Sequence, residues 1–238
     1  MHKFIWFALI IFLPAGLIAQ DEKSSKDDTT KEYAIDDYEV FNKFLGGDSV
    51  RKCHGSPCRG KIKDHHENGE LKHKGYYKDG KLTTSYKNYF DNGQLERAFQ
   101  KKNSNKAEVE IYYKNGEVRS EITYLHSEPL EWTEYFPTGK KEFYERHHKS
   151  LQFLEERIYF FSSGQKQSHL KLKNEDKKIY DKTIFYKNGK VKAEGEVLYN
   201  PYIYAYRREG EWKFYDENGK LELKQEFVKG KVVKEEKL

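Results

Sequence analysis

The sequence predicts an all-β protein: an elongated antiparallel β-meander of about seven hairpin repeats, with a short N-terminal capping helix. Three observations predict it. A glycine-centred turn phrase recurs at Gly69, Gly93, Gly116, Gly139, Gly164, Gly189 and Gly219, at intervals of 24, 23, 23, 25, 25 and 30 residues, and a fixed period of that size marks a repeat array. Aromatic pairs precede the glycines, as in "YKNYFDNGQLERAF" (86–99), "IYYKNGEV" (111–118) and "IFYKNGKV" (184–191), and aromatic side chains favour strands. Aromatics are 16% of the 238 residues, although only 36% are hydrophobic and 35% are charged. A disordered chain is poor in rings, so the folded part buries rings rather than aliphatic chains.

The N-terminal segment reads as an export signal over 1–19. Lys3 supplies a positive start, Phe4 to Leu13 is an unbroken apolar run, Pro14 and Gly16 break a helix, and Ala19 is a small residue at the cleavage point. From Phe4 to Ala19 is 16 residues, short of the ~20 that a membrane span needs. Residues 20–32 contain "DEKSSKDDTTKE", a polar stretch expected to be a disordered linker. The localisation expected from this layout is periplasmic, cell-surface or secreted.

Residues 33–63 are assigned to an N-terminal cap. Ile35, Tyr38, Val40, Phe41, Phe44 and Leu45 follow a 3–4 spacing up to Gly46, which predicts a short amphipathic helix covering the open end of the array. "CHGSPC" (53–58) holds both cysteines. In an oxidising compartment Cys53 and Cys58 read as a disulfide. A metal site using them with His65 or His66 is the weaker alternative, because no compact fourth ligand follows.

Residues 64–238 are assigned to the repeats. Asn-Gly supplies the positive φ that tight turns require. In "YFPTGK", Thr138 resists positive φ, so a type I turn over Pro137-Thr138 with Gly139 as a left-handed bulge residue fits better than a two-residue loop. Extended to the other phrases, that geometry puts Tyr89 on one face with Leu95, and Tyr112 with Val118. Adjacent aromatics then point to opposite faces, which predicts rings stacked between repeats on both sides. Second breaks fall between the phrases at 78–81, 102–106, 125–129, 173–177 and 228–231. They leave strands of about five to eight residues.

"YKNYFDNGQLERAF", "EIYYKNGEVRSEITY" and "GEWKFYDENGKLELKQEFVKGKVV" resemble the MORN-repeat variant of bacterial proteins often labelled antitoxin-like. The x-Asn-Gly-x-Leu/Val phrase is clear at Asn68, Asn92, Asn115, Asn188 and Asn218, and departs at Thr138 and Ser163. The resemblance implies a β-hairpin array that serves as a binding or spacing module. Its label implies an inhibitor role by association.

No nucleophile elbow, phosphate loop, dinucleotide fingerprint, zinc-protease helix or calcium loop occurs. His65-His66 stands at the aromatic-pair position of the first repeat, and His147-His148 at a second break, so both pairs are expected to pack rather than react. Neither an enzyme nor a bound cofactor or metal is expected. The net charge of +5 is finely mixed in sign, the pattern of a solvated sheet surface. With an export signal, it argues against a nucleic-acid partner. The expected role is an exported protein-binding or scaffold module with a protein or cell-envelope partner. A lipid-headgroup or glycan binder is the alternative.

The candidate binding residues lie in "LYNPYIYAYRREGEW" (198–212), where the last interval is longest. Pro201 resists a central strand. Tyr202, Tyr204 and Tyr206 alternate, which in an extended segment puts them on one face. Arg207 and Arg208 follow, and Tyr and Arg are favoured at binding hot spots.

Overall fold

The computed structural model describes residues 50–238; the expected export signal, linker and capping helix lie outside the described residues. Two short strands, β1 (Lys52–Cys53) and β2 (Ser56–Pro57), form a mini-hairpin closed by the Cys53–Cys58 disulfide. Both cysteine sulfurs are thereby used, which removes the alternative metal site. Fifteen further strands, from β3 (Gly60–His65) to β17 (Lys231–Lys237), form one antiparallel sheet in which each strand lies beside its predecessor. The sheet begins at Gly60, inside the stretch assigned to the cap. The mini-hairpin docks on the turn between β4 (Leu71–Lys78) and β5 (Lys81–Tyr89). There Arg51 N donates to Gly80 O at 2.9 Å and Gly80 N to Cys58 O at 2.8 Å.

One end of the sheet is built from a single turn repeated seven times. Gly93 N donates to Phe90 O at 2.9 Å, Phe90 N donates to Gln94 O at 2.8 Å, and Gly93 has φ 81°. This is a type I turn with a left-handed glycine bulge. The same pair of bonds closes the loops at Gly69, Gly116, Gly139, Gly164, Gly189 and Gly219. The register confirms the expected geometry: Tyr89 stands opposite Leu95, and Tyr112 opposite Val118.

The asparagine before the glycine does more than accommodate the turn. Asn68, Asn92, Asn115 and Asn188 each accept, through Oδ1, the backbone N–H two residues on, at 3.0–3.1 Å. The Nδ2 groups of Asn68, Asn92 and Asn188 donate to carbonyls of the following turn: Asp91 at 2.7 Å, Lys114 at 3.4 Å and Glu217 at 2.8 Å. Consecutive loops are therefore stapled to one another. Where Thr138 replaces asparagine, the next loop is reached instead by Lys140 Nζ, which donates to Ser163 O at 2.8 Å. Tyr113 and Tyr186 add phenol bonds of 2.7 Å to the Tyr135 and Tyr215 carbonyls. His66 Nε2 makes the equivalent 2.8 Å contact to Tyr89 O, so His66 replaces the second aromatic of its pair, as expected.

The opposite end is variable. Two-residue turns with both φ positive sit at Asp79-Gly80, His126-Ser127 and Lys229-Gly230, and the separate mini-hairpin turns in the same way at His54-Gly55. Longer loops join β6 (Leu95–Lys101) to β7 (Lys106–Tyr112), β10 (Lys141–His147) to β11 (Leu154–Phe160), β12 (Lys166–Asn174) to β13 (Ile179–Phe185), and β14 (Val191–Asn200) to β15 (Ala205–Tyr215).

The core lies on one face of the sheet. Tyr86, Phe99, Val109, Ile122 and Trp132 stand opposite one another in turn from β5 through β7 and β8 (Val118–Leu125) to β9 (Glu128–Tyr135). The row continues through Glu145, Arg157, Leu170, Lys182 and Gly195. Two apolar clusters fill this face, one around Tyr77, Leu82, Tyr86 and Phe99, the other around Leu170, Tyr180, Val197, Trp212 and Phe227. Tyr86 and Phe99 stack at 5.3 Å, and Trp132, Phe143 and Tyr159 follow one another at 5.6 and 5.1 Å.

Ring stacking was expected on both sides, and this is corrected. On the outer face the rings meet polar groups: Tyr112, Tyr135 and Tyr144 donate to Glu110, Glu121 and Glu131, and Lys74 lies 5.3 Å from the Tyr89 ring centre. That face is solvated, and its alternating charges compete for the rings. The C-terminal edge strand β17 is blunted by Lys231, Lys234 and Lys237 and by a bulge at Val233 against β16 (Leu221–Val228), devices that discourage edge pairing.

Gly195 is a close-approach position: a Cβ there would meet the Trp212 indole at 2.5 Å. Gly195→Ala should destabilise the chain by about 1–3 kcal/mol through overpacking. Gly116→Ala, where a Cβ meets nothing closer than 3.8 Å but φ is +89°, should cost roughly 1 kcal/mol through backbone strain alone. Urea unfolding of the two variants checks the order.

Candidate interaction surface

The β14–β15 hairpin has the longest strands of the sheet, 10 and 11 residues. Pairing runs out to Asn200 opposite Ala205, and the chain reverses over 201–204. Asn200 Oδ1 accepts the Tyr202 N–H at 3.0 Å, and Tyr204 adopts φ 51°. The segment is thus a turn and not extended, because Pro201 cannot donate to a ladder. Tyr202, Tyr204 and Tyr206 do not share a face.

The five candidate residues divide between a tip and a root. At the tip Tyr202 is 92% exposed, and Ile203 and Tyr204 are exposed beside it. Tyr206 belongs to the root, its ring 5.1 Å from both Tyr180 and Tyr199. Burial, then the neighbouring Tyr180, raises its phenol well above the ordinary range. Tyr180 is 1% exposed and donates to Leu154 O at 3.0 Å, with its own phenol pushed up to about 12 mainly by burial. Arg208 lies over three rings, 4.4 Å from Trp212, 5.2 Å from Phe227 and 5.5 Å from Phe214, and burial lowers its pKa. Arg207 runs beside Gly230. Gly230 N donates to Arg208 O at 3.0 Å, and Lys229 N donates to the Glu209 carboxylate at 2.9 Å. The root is a packed, bonded base under an exposed aromatic tip.

Two polar networks on the core face carry the perturbed groups, and neither was anticipated. In the first, Arg51 pairs with Asp64 and donates to Tyr77 Oη at 3.5 Å. Tyr77 Oη meets His73 Nε2 at 3.0 Å, and His73 Nδ1 meets Asn88 Oδ1 at 2.7 Å. Burial lowers the His73 pKa, against the raising effect of Asn88. In the second, Glu145 bonds Arg157 and, at 2.7 Å, His147. Burial alone would raise the Glu145 carboxyl, but His147 and Arg157 outweigh it and hold it below the usual carboxylate range. Lys182, in the same row, has its pKa lowered by burial and then by Arg157. Parity counted from the confirmed turns places all of these but Arg51, which precedes β1, on the core face; reading them there from sequence needed the register.

The first network is closed on itself. His73 is 1% exposed, so no substrate reaches it. Among the described residues no group of three or more His, Cys, Asp or Glu could hold a metal ion. His148 stacks on Phe153 at 4.6 Å, a packing role like that expected for its pair.

The sequence profile of the MORN repeat variant matches residues 60–79, 107–126 and 208–229. Repeats at three positions thus match the MORN repeat variant. The last match includes Arg208 and the β15–β16 hairpin. MORN repeats are in general protein- or membrane-binding modules and typically non-enzymatic. No curated protein matches the sequence. Among solved structures, one titled "Crystal Structure of TcdB2-TccC3" aligns over 71% of this chain at 7% identity with a TM-score of 0.19. This chain spans 13% of that one's length; at such a score the likeness carries no argument.

The core-face networks set a pH dependence. His73 is held neutral in the fold, so below about pH 6.5 the unfolded chain takes up a proton that the folded chain refuses, and stability falls. Glu145 stays ionised in the fold below its ordinary value, so a second loss follows as pH drops through and below the ordinary carboxylate range. Melting temperature followed from pH 8 to pH 4 should show both steps. His73→Gln, which keeps one donor and one acceptor, should remove the upper one.

Proposed function

We propose that this chain is an exported, non-enzymatic MORN-variant module of the cell envelope that grips a protein partner with the tip of the β14–β15 hairpin. The observation that carries the reading is the contrast within that hairpin. Tyr202, Ile203 and Tyr204 are consecutive and exposed, over a root fixed by Tyr180, Tyr206 and Arg208. The packed root fixes where the tip projects, which limits the backbone freedom lost when a partner arrives, and tyrosine is enriched among the residues that dominate interface energy. The general binding role of MORN repeats supports the reading. An apolar run at 4–13 and a disulfide at Cys53–Cys58 suit an oxidising, extracytoplasmic compartment. His73, Glu145 and Arg157, whose pKa values are shifted on the core face, are already bonded to neighbouring side chains, which supports a binding module over an enzyme.

The variant Tyr202→Ser/Ile203→Ser/Tyr204→Ser should melt within about 0.5 kcal/mol of wild type, as exposed substitutions do, and should lose at least 2 kcal/mol of partner binding. Arg208→Ala should instead lower the melting temperature, because three rings lose their cation and its packing stem. Binding is read by quantitative pull-down from envelope extract beside flotation with anionic liposomes. Full protein capture by the stable tip variant, or tip-dependent flotation without protein capture, would overturn the reading.

A further inference from the structure

The first hairpins of the sheet carry a separate unit whose closure depends on one covalent bond. The strands β1 and β2 pair only through Lys52 with Pro57 and Cys53 with Ser56. Proline has no N–H to give to such a ladder, and even a full-length two-stranded hairpin is marginal alone in water. The Cys53–Cys58 disulfide therefore decides whether this hairpin holds its shape.

The same short segment makes the contacts that seat it. Arg51 N donates to Gly80 O at 2.9 Å, Cys58 N to Arg51 O at 2.9 Å and Gly80 N to Cys58 O at 2.8 Å. Arg51 is 7% exposed, pairs with Asp64 and reaches Tyr77 Oη. Cys58 belongs to the apolar cluster of Tyr77, Leu82 and Tyr86. Val50 and the Arg51 backbone lie so close to Gly80 that a Cβ there would clash with both. The unit is a plug on the β4–β5 turn, and the Asp64, Tyr77 and His73 side chains lie behind it.

Closing the plug carries three costs. His54 is held at φ 50°, a conformation that a non-glycine residue resists. Arg51 and Asp64 are charges taken largely out of water, and their attraction is offset by that desolvation. Asp64 Oδ2 is the one buried side-chain polar atom without a hydrogen-bond partner among the described residues, a loss that water would make good. Opening relieves all three. None of them falls on the ladder of the fifteen-stranded sheet, where β3 pairs with β4 over six residues without help from the plug.

We propose that the Cys53–Cys58 bridge is a redox latch: a dithiol reductant opens it, residues 50–58 leave the β4–β5 turn, and water reaches Asp64, Tyr77 and His73 while the fifteen-stranded sheet stays folded. Cys53 is half-buried beside the exposed residues 54–56, whereas Cys58 is 1% exposed. A thiolate of the reductant therefore attacks Cys53 Sγ, forms a mixed disulfide there and expels Cys58 as a thiolate. The second thiol of the reductant then displaces Cys53. Two electrons and two protons pass to the chain, which ends with two thiols, and the reductant ends as a disulfide.

His73 reports the state of the latch. Its ring bonds Asn88 and Tyr77 and lies 5.9 Å from the Tyr86 ring, with Asp64 and Arg51 acting on it from β3 and from the plug. Burial lowers its pKa first; Asn88 and Asp64 raise it, and Arg51 lowers it further. Opening removes the burial and the Arg51 charge, so His73 moves up toward the ordinary imidazole value.

The test compares the whole chain, oxidised and after dithiothreitol, by backbone amide exchange and by NMR titration of the histidines. On reduction the amides of Arg51, Cys58 and Gly80 should lose at least about tenfold of their protection, as a local opening does. The amides of Tyr113 and Gly116, which close a turn in mid-sheet, should stay within about twofold. The His73 titration should move up at the same time, and Cys53→Ser/Cys58→Ser should reproduce both changes without reductant. Partner capture by the 201–204 tip enters none of these readings, so they stand or fall apart from it. Unchanged exchange at Cys58 and Gly80, with alkylation proving both thiols free, would overturn the latch. Loss of protection throughout the sheet would overturn it too, because the bridge would then be a staple of the whole fold, and so would a His73 titration that ignores the redox state.

Discussion

The fold depends on a backbone constraint: a left-handed glycine after a type I turn, seven times over. That glycine fixes the loop at three residues, and the loop length fixes the register. Register decides everything on the faces, because a slip of one residue would exchange core and solvent sides along a whole strand. Asparagine couples one turn to the next, since its carbonyl oxygen closes its own loop while its amide nitrogen reaches the following one. The repeat unit is therefore a joined link wherever asparagine stands before the glycine, and such a hairpin is positioned by its neighbour's loop as well as by the packing of its faces.

A sheet with its core on one face has few places for polar groups, yet this one buries Arg51, His73, Asn88 and Ser120. Each has a partner supplied by the register. His73 bridges Tyr77 and Asn88 across β4 and β5, and Ser120 accepts from the Trp132 indole at 2.9 Å. Glu145 and Arg157 are cross-strand neighbours in a row that is otherwise mostly apolar. Such groups stabilise little in themselves, because desolvation offsets their attraction. Their effect is to penalise other registers, in which an unpaired charge would remain buried.

Much of the fold was legible in the sequence, and for a physical reason. Positive φ is a local demand that few residues meet, so the seven glycines and the Thr138 exception betray loop type directly. From loop type follow the Tyr89–Leu95 and Tyr112–Val118 pairs. The distribution of rings was not legible, because adjacent aromatics must alternate faces whatever lies there, and only the charged neighbours decide whether a ring stacks or donates. The hairpin at 198–212 was visible as an insertion, but its conformation was not. Alternating tyrosines imply a strand only if the backbone stays extended, and Pro201 with the Asn200 side chain turns it instead.

The two ends of the sheet divide structure from recognition. The glycine-bulge end is stapled through asparagine, lysine and tyrosine bonds between loops, so a longer insertion there would break contacts on both sides. The opposite end carries two-residue turns in three hairpins of the sheet and longer loops in the others, and its loops can lengthen without disturbing the staples. The 201–204 tip lies at that end, where the array tolerates change, and its root borrows rigidity from Trp212, Phe227 and Tyr180 in the core cluster.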